Sequence, residues 1–271
     1  MAIVDNTSLT ATKNDLIVSL VQRELISKAV VMPTLLDASV YAGKGSKSIN
    51  VPRAGSFAVE DRATGVAAAQ VAVTYATDPL VLNQMSTVAW IVDSQDEIES
   101  SVDVQVDLAS RAAKAQAKNF DVKVIAGLES GATATTTAGA ITQAIFLEMR
   151  KSVLDAEGDL SETTFLMGTD SEAKLLAIAD FVRADQYGSA VIPTGVLGTL
   201  YGVKVALSTN VAADQFYMYS KEGYAFAIQK QLSIGERDAP EYGTGAKLRV
   251  LDQKWGHAKM QNGSLLFKDN N

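Results

Sequence analysis

One histidine, His257, stands in the run Trp255-Gly256-His257-Ala258 of the 271-residue chain. Imidazole suits proton transfer near neutral pH, but acid–base catalysis needs a positioned partner. The flanking residues offer none, so His257 reads as a strand or surface residue. There are no cysteines, which removes disulfides, thiolate metal sites and a thiol nucleophile. Ala42-Gly43-Lys44-Gly45-Ser46-Lys47 has the residue types of a phosphate loop. It lacks the four-residue gap between the first glycine and Gly-Lys-Ser/Thr that a P-loop requires, and reads as a hinge. No Gly-x-Ser-x-Gly elbow, His-Glu-x-x-His pair or EF-hand loop occurs. The 31 acidic residues allow many carboxylate pairs, but the simpler reading is a solvated acidic surface. Trp90 and Trp255 lie in strand patterns and read as core. No catalytic, cofactor-binding or metal-binding residue is expected, and no cofactor.

Charge narrows the partners. The net charge of −7 gains nothing from counterion release on DNA, so a dedicated nucleic-acid reader is not expected. Enclosing DNA without specific binding remains compatible with it. The first residues carry neither a basic n-region nor a long apolar core, so no secretory signal is expected and the compartment is cytoplasm-like. No apolar run approaches the ~18 residues of a membrane span, and no membrane partner is expected. No solenoid-type repeat is present.

The elements follow from periodicity. Residues 1–11 read as a loose arm, and Leu16, Leu20, Val21 and Leu25 predict an amphipathic helix over 12–28, ended by Pro33. Residues 48–53 form a short strand, and 54–69 a Gly/Ala-rich extended loop holding Glu60-Asp61-Arg62. Val71, Val73 and Tyr75 alternate as in a strand, Asp78-Pro79 breaks it, and 80–92 resumes it. Ser94 and Glu97 form a capping box for a long helix over 96–125, with Gly127 as its C-cap. About 30 residues give a rod of roughly 45 Å. Ala109, Ala112, Ala113, Ala115 and Ala117 would let a sheet or neighbour approach its axis closely. Residues 129–140 read as a linker.

Beyond the linker the pattern becomes α/β. A helix runs from Ile141 to near Gly158, and a strand covers 163–167. A second capping box at Thr169-Asp170-Ser171-Glu172 opens a short helix, and a loop spans 183–198. Residues 203–207, 215–219 and 224–228 are strand-like. Residues 233–237 and 247–253 read as a strand pair.

This order resembles the major capsid proteins of tailed bacteriophages with the Hong Kong 97 fold. Phe57-Ala58-Val59-Glu60-Asp61 resembles the aromatic-then-acid pattern on the first E-loop strand. Val92-Asp93-Ser94-Gln95-Asp96-Glu97-Ile98-Glu99 resembles the acidic start of the spine helix, and Asp121-Val122-Lys123-Val124-Ile125-Ala126-Gly127 its exit. Thr164-Phe165-Leu166-Met167-Gly168-Thr169 and Leu197-Gly198-Thr199-Leu200-Tyr201-Gly202-Val203-Lys204-Val205 resemble A-domain segments. Tyr224-Ala225-Phe226-Ala227-Ile228-Gln229 and residues 250–256 resemble the closing segment.

The resemblance implies an α+β chain divided as N-terminal arm (1–47), E-loop hairpin and adjoining strands (48–92), P-domain spine helix (93–128), α/β A-domain (129–230), and P-domain strands with a return to the A-domain (231–271). No fused scaffolding domain and no elaborate surface insertion is expected. Phe57, Glu60, Asp61 and Arg62 become candidates for contact between subunits. Ser94, Glu97, Ala109 and Ala113 become the residues on which spine-helix packing rests. The implied function is structural: hexamers and pentamers of the chain, assembled in a host cytoplasm, close an icosahedral virion shell around double-stranded DNA. Portal and scaffolding proteins, and a decoration protein, are the implied partners. Two alternatives are a bacterial encapsulin shell, built on the same fold, and an unrelated α/β enzyme.

Overall fold

Three sheets and two longer helices organise the described residues of the computed structural model, which are 21, 29–43, 45–54, 61, 64, 75–92, 104–135, 139–176, 199–242, 246–260 and 265–269. The expected capping box at Ser94 and Glu97 lies outside them, as do Phe57, Glu60, Arg62, the 183–198 loop and all of the 12–28 helix except Val21. Val21 is helical and buried, and Asp61 is exposed.

The first sheet joins β1 (Leu36–Asp37), β4 (Gln84–Val92), β10 (Tyr224–Asp238) and β11 (Lys247–Lys259) in the order β1-β10-β11-β4. The second is the two-stranded pair β2 (Ser48–Ala54) and β3 (Tyr75–Val81). The third has six strands: β5 (Thr133–Ala134), β6 (Thr163–Gly168), β7 (Thr199–Leu200), β8 (Val203–Ser208), β9 (Phe216–Ser220) and β12 (Leu266–Lys268), ordered β5-β12-β9-β6-β8-β7. Every residue of β6 and β9 is buried, which accounts for their lack of alternation.

Helix α1 (Val104–Gly131) lies across the first sheet. Ala109, Ala112, Ala113, Ala117, Phe120, Val124, Ile125 and Leu128 are buried at helical spacing. Side-chain size rises along this stripe. Ala109, Ala112 and Ala113 meet Val88, Trp90, Leu232, Ile234 and Leu251, so a small helix face receives a large sheet face. Further on, Phe120 packs against Trp255 with the rings tilted and their centroids 4.5 Å apart, and meets Phe226 edge-on at 5.5 Å. Helix α2 (Gln143–Asp155) covers the six-stranded sheet through Ile145, Phe146, Met149 and Val153. Its cap is Thr142, whose hydroxyl accepts from the Ile145 amide at 3.3 Å.

Several local expectations are corrected. Helix α1 continues through Gly127 to Gly131, where Lys259 Nζ donates to the Gly131 carbonyl at 2.5 Å. The expected linker therefore starts inside the helix, and Thr133–Ala134 pairs in parallel with Phe267 and Lys268. Asp78 and Pro79 lie within β3, and the strands part at Leu82 and Asn83. A two-stranded pair offers only edge strands, where a missing proline N–H is tolerated. At the second expected capping box, Gly168 holds the cap position and no side chain caps it; Thr169 opens a 3-10 turn before the short helix Glu172–Leu176. Residues 224–228 and 233–237 belong to one strand, with register shifts between Ile228 and Ser233. Residue 230 thus falls in mid-strand.

Candidate functional site

The part of the fold able to act mechanically is the crossing of the β2–β3 pair, the first sheet and α1. Alternation in β10 and β11 gives the two faces of that sheet opposite characters. Ala225 pairs with Ala258 and Ala227 with Gly256, setting four small residues side by side on one face. Ile49, Leu80 and Leu82, at the root of the β2–β3 pair, pack with the alanines of this platform, Ala38 and Met260. At Gly256 the approach is backbone to backbone. A Cβ there would lie on the Val81 carbonyl oxygen and 2.9 Å from Leu82 Cα. Only glycine leaves room for that crossing. The Lys47 carbonyl accepts from the Leu82 amide at 2.9 Å, which closes the root of the hairpin.

The segment before β2 is fastened to β10 of the same sheet. Ser39 Oγ accepts from the Ile228 amide at 3.0 Å. Gln229 Nε2 donates to the carbonyls of Gly43 (3.1 Å) and Ser46 (2.6 Å). The hinge-like Gly/Lys/Ser stretch is therefore tied down through its carbonyls, which fits no phosphate-loop role.

The opposite face carries Tyr224, Phe226, Trp255 and His257 beneath α1. The Tyr224 hydroxyl and His257 Nδ1 lie 2.7 Å apart, so the histidine has the partner that its sequence neighbours did not offer. Burial, with Lys123 adding to it, holds the His257 pKa below the ordinary histidine range, and burial pushes the Tyr224 hydroxyl up. This pair packs against Gly127, where an added Cβ would meet the Tyr224 hydroxyl and lie 2.8 Å from His257 Cε1. Gly127 therefore serves close approach and not helix termination.

Changing Gly127 to alanine tests that contact. Overpacking costs about 1–3 kcal/mol, against about 1 kcal/mol of helix propensity gained. The expected outcome is a lower thermal midpoint of the subunit. An unchanged or higher midpoint would mean that the Tyr224–His257 pair does not press on the helix.

Two polar clamps fix α1. Ser86 Oγ accepts from Asn119 Nδ2 (2.8 Å) and from Trp255 Nε1 (2.9 Å), joining helix, β4 and β11. Asp121 accepts from the Val30 and Val31 amides at 3.1 and 3.2 Å. Burial raises the Asp121 pKa more than these two hydrogen bonds lower it. At the far end of the sheet, Glu236 accepts from Lys247 Nζ (2.6 Å) and Arg249 Nε (3.1 Å). Burial alone would raise the Glu236 pKa, but the two cations outweigh it and hold the carboxyl below its usual range. The sequence reading anticipated neither the glycine approaches nor the clamps; the residues involved are far apart in the chain.

Of the expected site residues, Ala109 and Ala113 are fully buried under the sheet. Asp61 is exposed, and Phe57, Glu60, Arg62, Ser94 and Glu97 are outside the described residues. Trp255 is core, as expected, and Trp90 packs partly buried against the alanine stripe. Among the described residues no group of three or more His, Asp or Glu could hold a metal, and no helix is long and apolar enough to cross a membrane.

In sequence, no family model and no curated protein matches the chain. In structure, the matches are extensive. A chain of Mycobacterium phage Che8 superposes with a TM-score of 0.65 at 17% identity, covering 83% of this chain and 85% of that one. The capsid of cyanophage P-SCSP1u gives 0.66 at 13% identity, covering 87% and 86%. A virus-like particle from Pyrococcus furiosus gives 0.66 at 10% identity, covering 95% and 99%. With its crossed hairpin, long helix and two larger sheets, the chain has the Hong Kong 97-like capsid fold shared by phage major capsid proteins.

Proposed function

We propose that this protein is the shell subunit of a tailed-phage capsid, assembling as hexamers and pentamers into an icosahedral container for double-stranded DNA. The observation that carries this reading is the two-way coverage of phage capsid structures, above four-fifths of both chains. The local physics agrees. Among the described residues the β2–β3 pair packs through its root, while Tyr75 at its far end and Met85 in β4 are 75% and 70% exposed. Such surface is stabilised when a neighbouring subunit covers it. Phe57, Glu60, Asp61 and Arg62, which lie between β2 and β3 in the sequence, are the residues proposed to meet that neighbour. In the same reading the chain runs in the order arm, hairpin, spine helix, A-domain and P-domain strands, with the spine helix continuing to Gly131 and β10 crossing the expected boundary at residue 230, and its partners are a portal and a scaffolding protein, with a decoration protein on the finished shell. The virion is its destination, assembly takes place in the host cytoplasm, and the subunit itself performs no catalysis.

The coverage of the virus-like particle, 95% and 99%, favours a second reading: the same fold closing as an encapsulin-type compartment around protein cargo. The contents of native particles separate the two. Packaged DNA with a portal supports the phage shell; a protein cargo without a genome overturns it.

Some shells of this fold family are cross-linked through an E-loop lysine. Here no lysine occurs between Lys47 and Lys114, so the hairpin has no amine to offer. Particles boiled in detergent are expected to run as a single 28.7 kDa band. A ladder of covalent multimers would contradict a shell held by non-covalent contacts.

A further inference from the structure

A cleft of about 230 Å³ separates α1 from one end of the six-stranded sheet. Its sheet side is the carboxyl end of two adjacent parallel strands, where Gly168 of β6 pairs with Ser208 of β8. Open α/β sheets bind ligands outside the carboxyl ends of their parallel strands. Its helix side presents Lys114 and Lys118, one turn apart. Thr169, Thr209 and Asn210 reach it from the strand ends. None of these five side chains has a hydrogen-bonding or ionic partner among the described residues, and all five can donate. The carboxylate in the cleft, Asp121, has its two oxygens taken by the Val30 and Val31 amides. The uncommitted groups are thus two ammonium ions, two hydroxyls and one amide, gathered on a chain whose net charge is −7.

We propose that this cleft is an oxyanion site that takes a phosphate group, either free phosphate or a phosphodiester of a polynucleotide. Lys114 and Lys118 supply charge-assisted hydrogen bonds, and Thr169, Thr209 and Asn210 complete the shell of donors around the remaining oxygens. Because the ligand bridges helix and sheet, binding also fixes their relative position. The site stands whether or not the chain closes into a container, and its test does not use assembly.

The test is calorimetric titration of the full-length chain with sodium phosphate at fixed ionic strength, then with a short oligothymidylate. Wild type is expected to bind phosphate saturably. The double variant Lys114→Gln/Lys118→Gln is expected to bind about tenfold more weakly or worse, the size of effect that follows from losing hydrogen bonds to a charged group. Lys123→Gln/Lys151→Gln removes the same charge outside the cleft and is expected to leave binding unchanged. Tighter binding of the oligonucleotide, lost in the cleft variant, identifies a polynucleotide backbone as the source. Binding of phosphate but not of the oligonucleotide identifies the free ion. Phosphate binding no stronger than that of chloride, or equal weakening in both double variants, overturns the proposal.

Discussion

Replacing Gly256 with alanine is expected to remove shell assembly while most of the subunit still folds. A Cβ at this position lies on the Val81 carbonyl and within 2.9 Å of Leu82 Cα, so the hairpin root must lift off the sheet. Backbone cannot rotate away as a side-chain tip can. The expected cost lies at the upper end of the about 1–3 kcal/mol typical of overpacking. Strand propensity returns only about 0.5–1 kcal/mol for losing a glycine. A small tilt at the root is amplified at the far end of the β2–β3 pair, which in the proposed shell would have to meet a neighbouring subunit in register. Gly235 supplies the control. It lies in β10 of the same sheet, and a Cβ there comes no closer than 3.9 Å to the Val250 carbonyl. Gly235→Ala is expected to assemble as wild type. Particle yield, read by sedimentation against soluble subunit, checks both. Normal particle yield from Gly256→Ala would show that the crossing does not aim the hairpin.

Ala113→Pro is expected to be the most damaging single change in the long helix. Proline removes an internal hydrogen bond and clashes with the carbonyl four residues earlier, costing about 3 kcal/mol or more. Against a total stability of only ~5–15 kcal/mol this is a large fraction. Ala113 is fully buried against the sheet with Leu232 and Leu251 nearby, so Ala113→Leu keeps the helix but forces it away, for about 1–3 kcal/mol. Both variants are expected to lose particle yield more steeply than soluble subunit, because α1 sets the angle between the sheet under the hairpin and the six-stranded sheet. The measurement is denaturant unfolding of the subunit beside sedimentation of particles. Normal assembly by both variants would mean that this face of the helix is not tightly packed.

What could be read in the sequence followed the range of the physics involved. The long helix showed in the alanine run from Ala109 to Ala117, because such signals are local; its true end at Gly131 did not. The buried β6 and β9 showed as apolar runs. Gly127 read as a helix cap and Gly256 carried no signal of its own, since only the folded chain brings Tyr224 and Val81 against them. The continuity of β10 was hidden by the polar run Gln229-Lys230-Gln231, where a register irregularity carries the strand across an apparent break. Pro79 looked like a terminator because its tolerance depends on lying in a two-stranded edge pair. His257 looked unpartnered because Tyr224 is 33 residues away. The Ser86, Asp121 and Glu236 clamps join elements from distant parts of the chain, and single polar residues in strands or helices give no advance sign of such pairing.

The central claim is that this subunit closes into a shell. Electron microscopy of the purified chain, expressed alone and with the proposed scaffolding partner, tests it most directly. The predicted result is closed particles of uniform diameter whose surface resolves into hexameric and pentameric clusters. A chain that stays monomeric under every assembly condition, scaffold included, would contradict it.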